Sequence, residues 1–404
     1  MASISSSRFY VFEQTTPGTN PNAGATNWYG LSVAKPGVSG GPANQTVESQ
    51  LIRNNRNPAG IKLVGPQSAL TIPFETQVPT ASTQAFWALL RASIYSSATT
   101  ASYTTGAATG NSWATTTITI AAGDQANVLA NIQIGDVIQI YSAAAATTKY
   151  YARVTAVGGG GATLTTDVSS STGAANDLVI KRGARIKNGT TQQTFGMIRE
   201  FQAPGSVTWD RISMFPQETV DSCSFSLTNK GIITGSFSTV GVGGHQLATS
   251  RGALTQPQNS STFNDAPSLE VMDATNNCPV VNVAGAELGV QSVSFAWNNN
   301  SQARSNVGDY NATSISVGDF RGTGSFTAYF DNIAEFNKAL LGTASSLYVV
   351  MENSSKQAIT ISIPRVRYGN PTLNGQDRDV IATLPFQFEE DPTEAIGVRI
   401  SYIL

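Results

Sequence analysis

A mostly β chain, built from two similar tandem units that each carry a short helix, with a small β-barrel or sandwich unit inserted, is predicted by three observations. The dominant period is two, as in Val293-Phe295-Trp297, Ile359-Ile361-Ile363 and the pairs Ile132-Ile134 and Ile138-Ile140; that spacing puts alternate side chains on one face of a strand. The runs are bounded by Gly, Asn and Pro clusters such as YGNPTLNGQD at 368–377, where turn chemistry interrupts pairing. One passage is also written twice. QSALTIPFETQVPTASTQAFWALLRA (67–92) and GSFTAYFDNIAEFNKALLG (324–342) each begin with an alternating stretch ending in Phe. Each passes through a polar spacer to a short helical patch, Phe86-Leu89-Leu90 in one and Phe336-Leu340-Leu341 in the other.

The elements fall in the same order around both passages. In the second, a strand at 289–297 precedes a polar loop (298–312), an alternating stretch (314–330) and a helix near 333–341. Strands at 346–352, 358–366, 379–388 and 397–403 complete it. In the first, a strand at 27–34 leads through a Gly/Pro/Asn-rich loop (35–59) to a stretch at 61–74 and a helix near 82–92. Strands resume at 194–201, 206–214, 220–227 and 231–240. Between lie TTITIA (116–121), DVIQIYS (136–142), KYYARVTAV (149–157), ATLTTDV (162–168) and DLVIKRG (177–183), five short strands with Gly-rich turns. The uncharged stretch 92–123 is rich in Ala, Ser, Thr and Gly and reads as a flexible lead-in. The expected division is 1–100 with 190–265 as the first module, 101–189 as the insertion and 266–404 as the second module.

Composition narrows the function. Charged residues are 12% of 404 and the net charge is −2, about half the usual charged share. A phosphate-gripping protein carries an excess of Lys and Arg, which is missing here. Cys223 and Cys278 lack CxxC spacing or a neighbouring His, and they read as reduced thiols. The N-terminus has no basic-then-apolar signal pattern, and no apolar run reaches the length of a membrane span. His245 is the single histidine and reads as a solvent-facing loop residue; with it and two scattered cysteines, a zinc site would need carboxylates for the rest. Gly37-Val38-Ser39-Gly40-Gly41 matches GxSxG in form, but Pro36 and Pro42 flank it where a strand and a helix are required. Glu389-Glu390-Asp391 abuts Pro392 and reads as a solvated turn. No catalytic residue, metal ligand or cofactor site is expected, and a structural protein is expected before an enzyme. A β-rich adhesin or carbohydrate-binding module, using Trp28, Trp113 and Trp209 as sugar platforms, is the alternative.

Several stretches, taken in order, resemble the tail tube (major tail) proteins of long-tailed bacteriophages, in their larger, duplicated form. RFYVFEQTTPGTNPN and VESQLIRNNRNPAGI are similar to that family's opening strand and its Ser/Glu/Arg-bearing loop. VDSCSFSLTNKGIITGSFSTVG resembles its strand pair, as does the run from DFRGTGSFTAYFDNIAEFNKALL to IPRVRYGNPTLNGQDRDVIATLPFQFEEDP. The insertion, with IQIGDVIQI, resembles one carried by larger members. The resemblance implies a virion protein made in the host cytoplasm, with two tandem tail-tube-type β-sandwich modules, each with a short flanking helix, that pair edge to edge into rings stacking as a hollow tube. The implied partners are further copies of the chain (a trimeric ring of pseudo-sixfold symmetry, or a hexamer), a tape measure protein, tail terminator and tip proteins, and phage DNA in transit without sequence-specific binding.

If each module gives about four strands to the inner wall, three chains give about 24, and at ~4.8 Å spacing and ~40° tilt the wall is about 48 Å across. Inward side chains leave about 38 Å, against roughly 20 Å for a DNA duplex. Such a channel is expected to be neutral or acidic, since basic residues would hold phosphates. The loops 35–59 and 298–312, with Glu48, Arg53, Arg56, Arg304 and Asp309, are expected to contact the neighbouring ring, and the insertion is expected on the outside.

Overall fold

The computed structural model describes residues 7–18, 27–49, 60–81, 84–106, 110–170, 175–202, 209–254, 262–287, 289–330, 333–375, 380–393 and 395–404. The chain begins with β1 (Ser7–Gln14), β2 (Asn27–Gly30), β3 (Ser39–Glu48), β4 (Ile61–Glu75) and α1 (Ala85–Ser93). A smaller unit follows: β5 (Tyr103–Thr104), β6 (Ser112–Ala114), β7 (Thr117–Thr119), α2 (Gln125–Asn131), β8 (Val137–Ser142), β9 (Tyr150–Gly158), β10 (Thr163–Thr166) and β11 (Leu178–Arg182). The chain returns through β12 (Ala184–Lys187), β13 (Thr194–Gln202), β14 (Trp209–Thr228), β15 (Thr234–Gly241), β16 (Gln246–Ala248) and β17 (Thr262–Asn264). The second half holds β18 (Val280–Val283), β19 (Ala286–Glu287), β20 (Val290–Asn298), β21 (Gln302–Arg304), β22 (Ser314–Ser316), β23 (Arg321–Tyr329), α3 (Ile333–Leu341), β24 (Ser345–Glu352), β25 (Ala358–Tyr368), β26 (Thr372–Gly375), β27 (Val380–Phe388) and β28 (Arg399–Ile403).

One sheet runs through both halves. Its antiparallel order is β3-β4-β15-β14-β20-β23-β27, with the end of β25 and then β26 along the far side of β27. Alternation gives it one apolar face. On that face a single register row reads Phe74, Gly235, Phe225, Phe295, Gly324, Phe386. The glycines make room for the rings: a Cβ at Gly235 would stand 2.4 Å from Phe74 Cζ, and one at Gly324 2.4 Å from Phe386 Cζ. Across the junction between halves Phe225 stacks on Phe295 with centroids 5.5 Å apart. Each fully buried ring contributes about 1.5–3 kcal/mol, so the row joins the halves by hydrophobic burial as well as by the β14–β20 ladder.

A second layer covers this apolar face. In the first half it is β2-β1-β13-β14-β16 and in the second β18-β24-β25-β28, extended by β12. One continuous core lies between the layers, from Phe9 and Leu70 to Val349 and Leu384. β14 and β25 each serve both layers, and each holds a proline at the changeover. Pro216 falls in the register gap between Phe215 and Glu218, and Pro364 in the gap between Ile363 and Val366. Proline lacks the ladder N–H and is tolerated where pairing is interrupted. The sequence reading breaks 206–214 from 220–227 at this point; the structure carries one strand straight through, because each side of the proline finds its own partners.

The smaller unit has its own core of Trp113, Ile118, Ile138, Val154, Leu164 and Ile180. All five expected strands form, as β7 to β11, and α2 is additional. The stretch 92–123 is not a flexible lead-in: Trp113, Ile118 and Ile120 are buried and Asn111 is fully enclosed. The unit leaves the chain after α1 yet docks on the second half. Val137 and Tyr151 pack with Val280, Tyr348, Val350, Ala358 and Ile403. Asp136 pairs with Arg185 and, at 3.0 Å, with Arg399 of β28. β12, within the range expected for the insertion, belongs to the second layer.

Candidate assembly surface and channel face

The face of the long sheet turned away from the core carries few charges, Glu75, Arg321 and Arg367 among them. Successive register rows read Pro73, Ser236, Ser224, Ala296, Thr323 and Gln387, and then Glu75, Thr234, Ser226, Ser294, Ser325 and Pro385. A third begins Thr71, Ser238, Ser222, Asn298 and ends at Arg321. Hydroxyls bond across strands, Ser224 to Ser236 at 2.9 Å and Ser294 to Ser325 at 3.2 Å. Short neutral side chains held to one another give a smooth, hydrated face with little to offer a phosphate. The alternation put the hydroxyls on one face; only the pairing lined them up across six strands.

This sheet ends in two open edges. Among the described residues β3 pairs with β4 alone and β26 with β27 alone. Such edges template pairing with another chain. The hairpin of β3 and β4 extends past the rest of the sheet: β15 pairs with β4 only as far as Ser68, whereas β3 follows it to Ile61. The extension exposes Val47, Leu63, Val64 and Ile61, the last at 70%. The opposite end of the sheet exposes Ile232, Tyr329 and Val380, and β26 beside it exposes Leu373.

The expected inter-ring residues separate. Glu48 ends β3 on the extended hairpin, opposite Ile61. Arg304 closes β21 in a small hairpin with β22, where its carbonyl accepts from Thr313. Asp309 sits in the turn and accepts from Asn306 Nδ2 at 3.3 Å. Arg53 and Arg56 lie outside the described residues. The structure brings the two regions together at the hairpin's base: a Cβ at Gly65 would stand 2.5 Å from the Tyr310 carbonyl, and Ala312 N–H donates to Val242. The region 35–59 is not simply a loop, since ten of its residues are β3. Its SGGPANQTVE has no hydrophobic alternation, so nothing local announced a strand; the ladder to β4 makes it one. The strand at 27–34 shrinks to β2, which pairs with β1 and β17 and leaves the hairpin role to β3.

His245 is half-buried, not solvent-facing. Ser213 Oγ lies 2.7 Å from its Nε2, Phe215 packs on the ring, and burial lowers its pKa. Sequence could not pair residues 32 apart. Ser213 sits inside β14 between paired Arg199 and Leu247, so its backbone is spent on ladders, and no carboxylate binds His245 among the described residues. Trp28 and Trp113 are buried in cores, and Arg8 covers the half-buried Trp209. Cys223 and Cys278 are free thiols, both pushed up by burial, Cys278 to about 12. Glu389 is not merely solvated: Arg365 and Arg367 both pair with it and hold its carboxyl below the usual range. Glu218, fully enclosed, receives the Thr239 hydroxyl at 2.7 Å and that of Ser68, and burial still raises its carboxyl to about 7. Among the described residues no cluster of His, Cys, Asp or Glu could hold a metal ion, and no helix is long and apolar enough to cross a membrane.

The profile of a family described as phage tail tube protein matches residues 5–388 of the chain. No curated protein matches it.

Proposed function

The chain belongs to the phage tail tube protein family, structural proteins of the virion tail that assemble with their own kind, and from that premise we propose that three copies close a ring around a DNA channel. The observation that carries the proposal is the junction inside one chain. There β14 pairs with β20 over Ser222↔Asn298 to Thr228↔Ser292. β25 with β26 stands to β27 as β14 stands to β15, and β3 stands to β4 as β20 stands to β23. The outer side of β25–β26 in one copy is therefore the counterpart of β14, and β3 in the next is the counterpart of β20. Joining them repeats the internal junction between molecules. This supports reading the halves as two copies of one module, with 101–189 inserted in the first.

Eight strands per chain, counted along this sheet, give about 24 in a trimer and a wall about 48 Å across, whereas six chains would roughly double it. The hydroxyl-lined face then turns inward, because the other face is committed to the core. DNA would slide past serines and threonines that release no counterions. Rings would stack with the extended β3–β4 hairpin of one, including Glu48, against the opposite end of the next, where Tyr329 and Val380 are exposed. Arg304 and Asp309 stand beside the hairpin's base. The unit at 101–189, docked on the second layer, stays outside the wall. The tape measure, terminator and tip proteins remain the expected further partners. Electron microscopy of purified, assembled protein tests this. End-on views should give threefold rings with an open centre; six chains per ring, or a closed centre, would overturn it.

A further inference from the structure

α1 and α3 occupy the same place in the two halves. Phe86 of α1 packs edge-on against Phe74 at the end of β4, with centroids 5.0 Å apart and planes at 73°. Phe336 of α3 packs the same way against Phe330 just after β23, at 5.4 Å and 81°. Their surroundings differ. α1 lies against the other half of its own chain: Trp87 packs on Tyr402 of β28, Ser93 Oγ accepts from Trp297 Nε1 of β20 at 3.0 Å, and Tyr95 just beyond meets Ser301. Among the described residues Glu335 and Phe336 of α3 contact Ser345, Tyr368 and Phe330 of their own half, and the helix exposes Leu340 at 65% and Leu341 at 79%.

The strands that seat α1 have counterparts in the first half. β3 corresponds to β20, and β16, which follows β15 and pairs with β14, corresponds to β28, which follows β27 and pairs with β25. Between β3 and β16 lies an open cavity of about 440 Å³, bordered by Gly41, Pro42, Phe201 and Leu247, with charged side chains, Arg199 and Asp210 among them, also in its lining. Leu247 is 78% exposed. The small residues of β3 leave the space that a helix would fill.

We infer that α3 of one copy seats Leu340 and Leu341 in the cavity between β3 and β16 of the next copy, as α1 seats Trp87 on β28 within the chain. The inference rests on the ring proposed above and adds its side-chain contact. The occupant is a second copy because the molecule already contains this contact once, and a closed ring must repeat it wherever the second half of one chain meets the first half of another. Two exposed leucines on the helix and one on the cavity rim are the apolar surface such a contact removes from water.

The test is a full-length chain carrying Leu341→Cys and Leu247→Cys in a Cys278→Ser background, assembled and then mildly oxidised. Non-reducing gels should give a covalent trimer and nothing longer, with either single substitution staying monomeric. Tubes that form without the crosslink would overturn the seat and leave the ring intact. A crosslink within one chain, or a ladder beyond three, would overturn it by putting α3 on its own chain or on the next ring. Failure of the unsubstituted chain to form any ring would overturn the ring itself. Should the double cysteine variant not assemble, Leu341→Lys and Leu247→Glu should each block assembly and together restore it; no restoration would overturn the contact.

Discussion

α1 and α3 share a position, a Phe–Phe contact and a length, and one is enclosed while the other displays its leucines. Trp87 of α1, which α3 lacks, is fully buried against Tyr402 of the second half. The difference teaches that one junction is built into the chain, where it contributes to folding, while the corresponding surface of the other half is left open, which is what the proposed contact between copies would use. The same contrast separates the paired β14–β20 edge from the open β3 and β26.

Breaking the closed junction should cost most. Trp297→Ala, which empties a buried site across from Cys223 and beside Phe225 and removes the bond to Ser93, should destabilise the chain by about 3–5 kcal/mol in urea unfolding. Asp136→Ala should approach that, about 3–5 kcal/mol, because it leaves Arg185 and Arg399 enclosed without their carboxylate. Burial already pulls nearby Arg182 down to about 10, a sign of how little water reaches this corner. Glu389→Ala, whose arginines are partly exposed, should cost no more than about 1 kcal/mol, and equal losses for the two would contradict the assignment of a buried docking pair.

Gly324→Ala should cost about 1–3 kcal/mol, since its Cβ meets both Phe386 and the Ser294 carbonyl, and Gly235→Ala should match it in the other half. Unequal costs would sharpen where the two copies of the row differ. A smaller effect is expected from Glu218. Its folded pKa of about 7 exceeds the ordinary 4.5. Between those values the unfolded chain releases a proton that the folded chain keeps, so stability falls as pH rises through that window. Glu218→Gln should flatten this slope in melting curves between pH 4.5 and 7. Least of all, Leu340→Ala should change the isolated chain's stability by within about 0.5 kcal/mol; sedimentation should register its effect, as lost assembly.

Much of the fold was legible because its strands alternate cleanly. Val293-Phe295-Trp297 and Ile359-Ile361-Ile363 announced β20 and β25, and the Phe-Leu-Leu patches announced both helices. β3 was hidden because Ser39–Glu48 owes its form to β4 rather than to its own residues. α2 was hidden because Val128 is its sole buried side chain. Of the candidate assembly residues, Asp309 was legible as a turn residue, whereas Glu48 and Arg304, read as loop residues, stand in β3 and β21. The hydroxyl face and the exposure of Leu340 and Leu341 were not, since each depends on which elements become neighbours.

By itself the sequence determined that this chain is β-rich and poor in charged residues, because alternation and composition are properties of neighbouring residues. Only the tertiary structure decided that the halves share one sheet, that the inserted unit crosses over to dock on the second half, and that one helix is covered while its twin is bare. Those are facts about partners far apart in the chain: Phe225 with Phe295, Asp136 with Arg399, Trp87 with Tyr402. No local pattern encodes such a pairing, because it is selected by the burial it makes possible once the whole chain has folded.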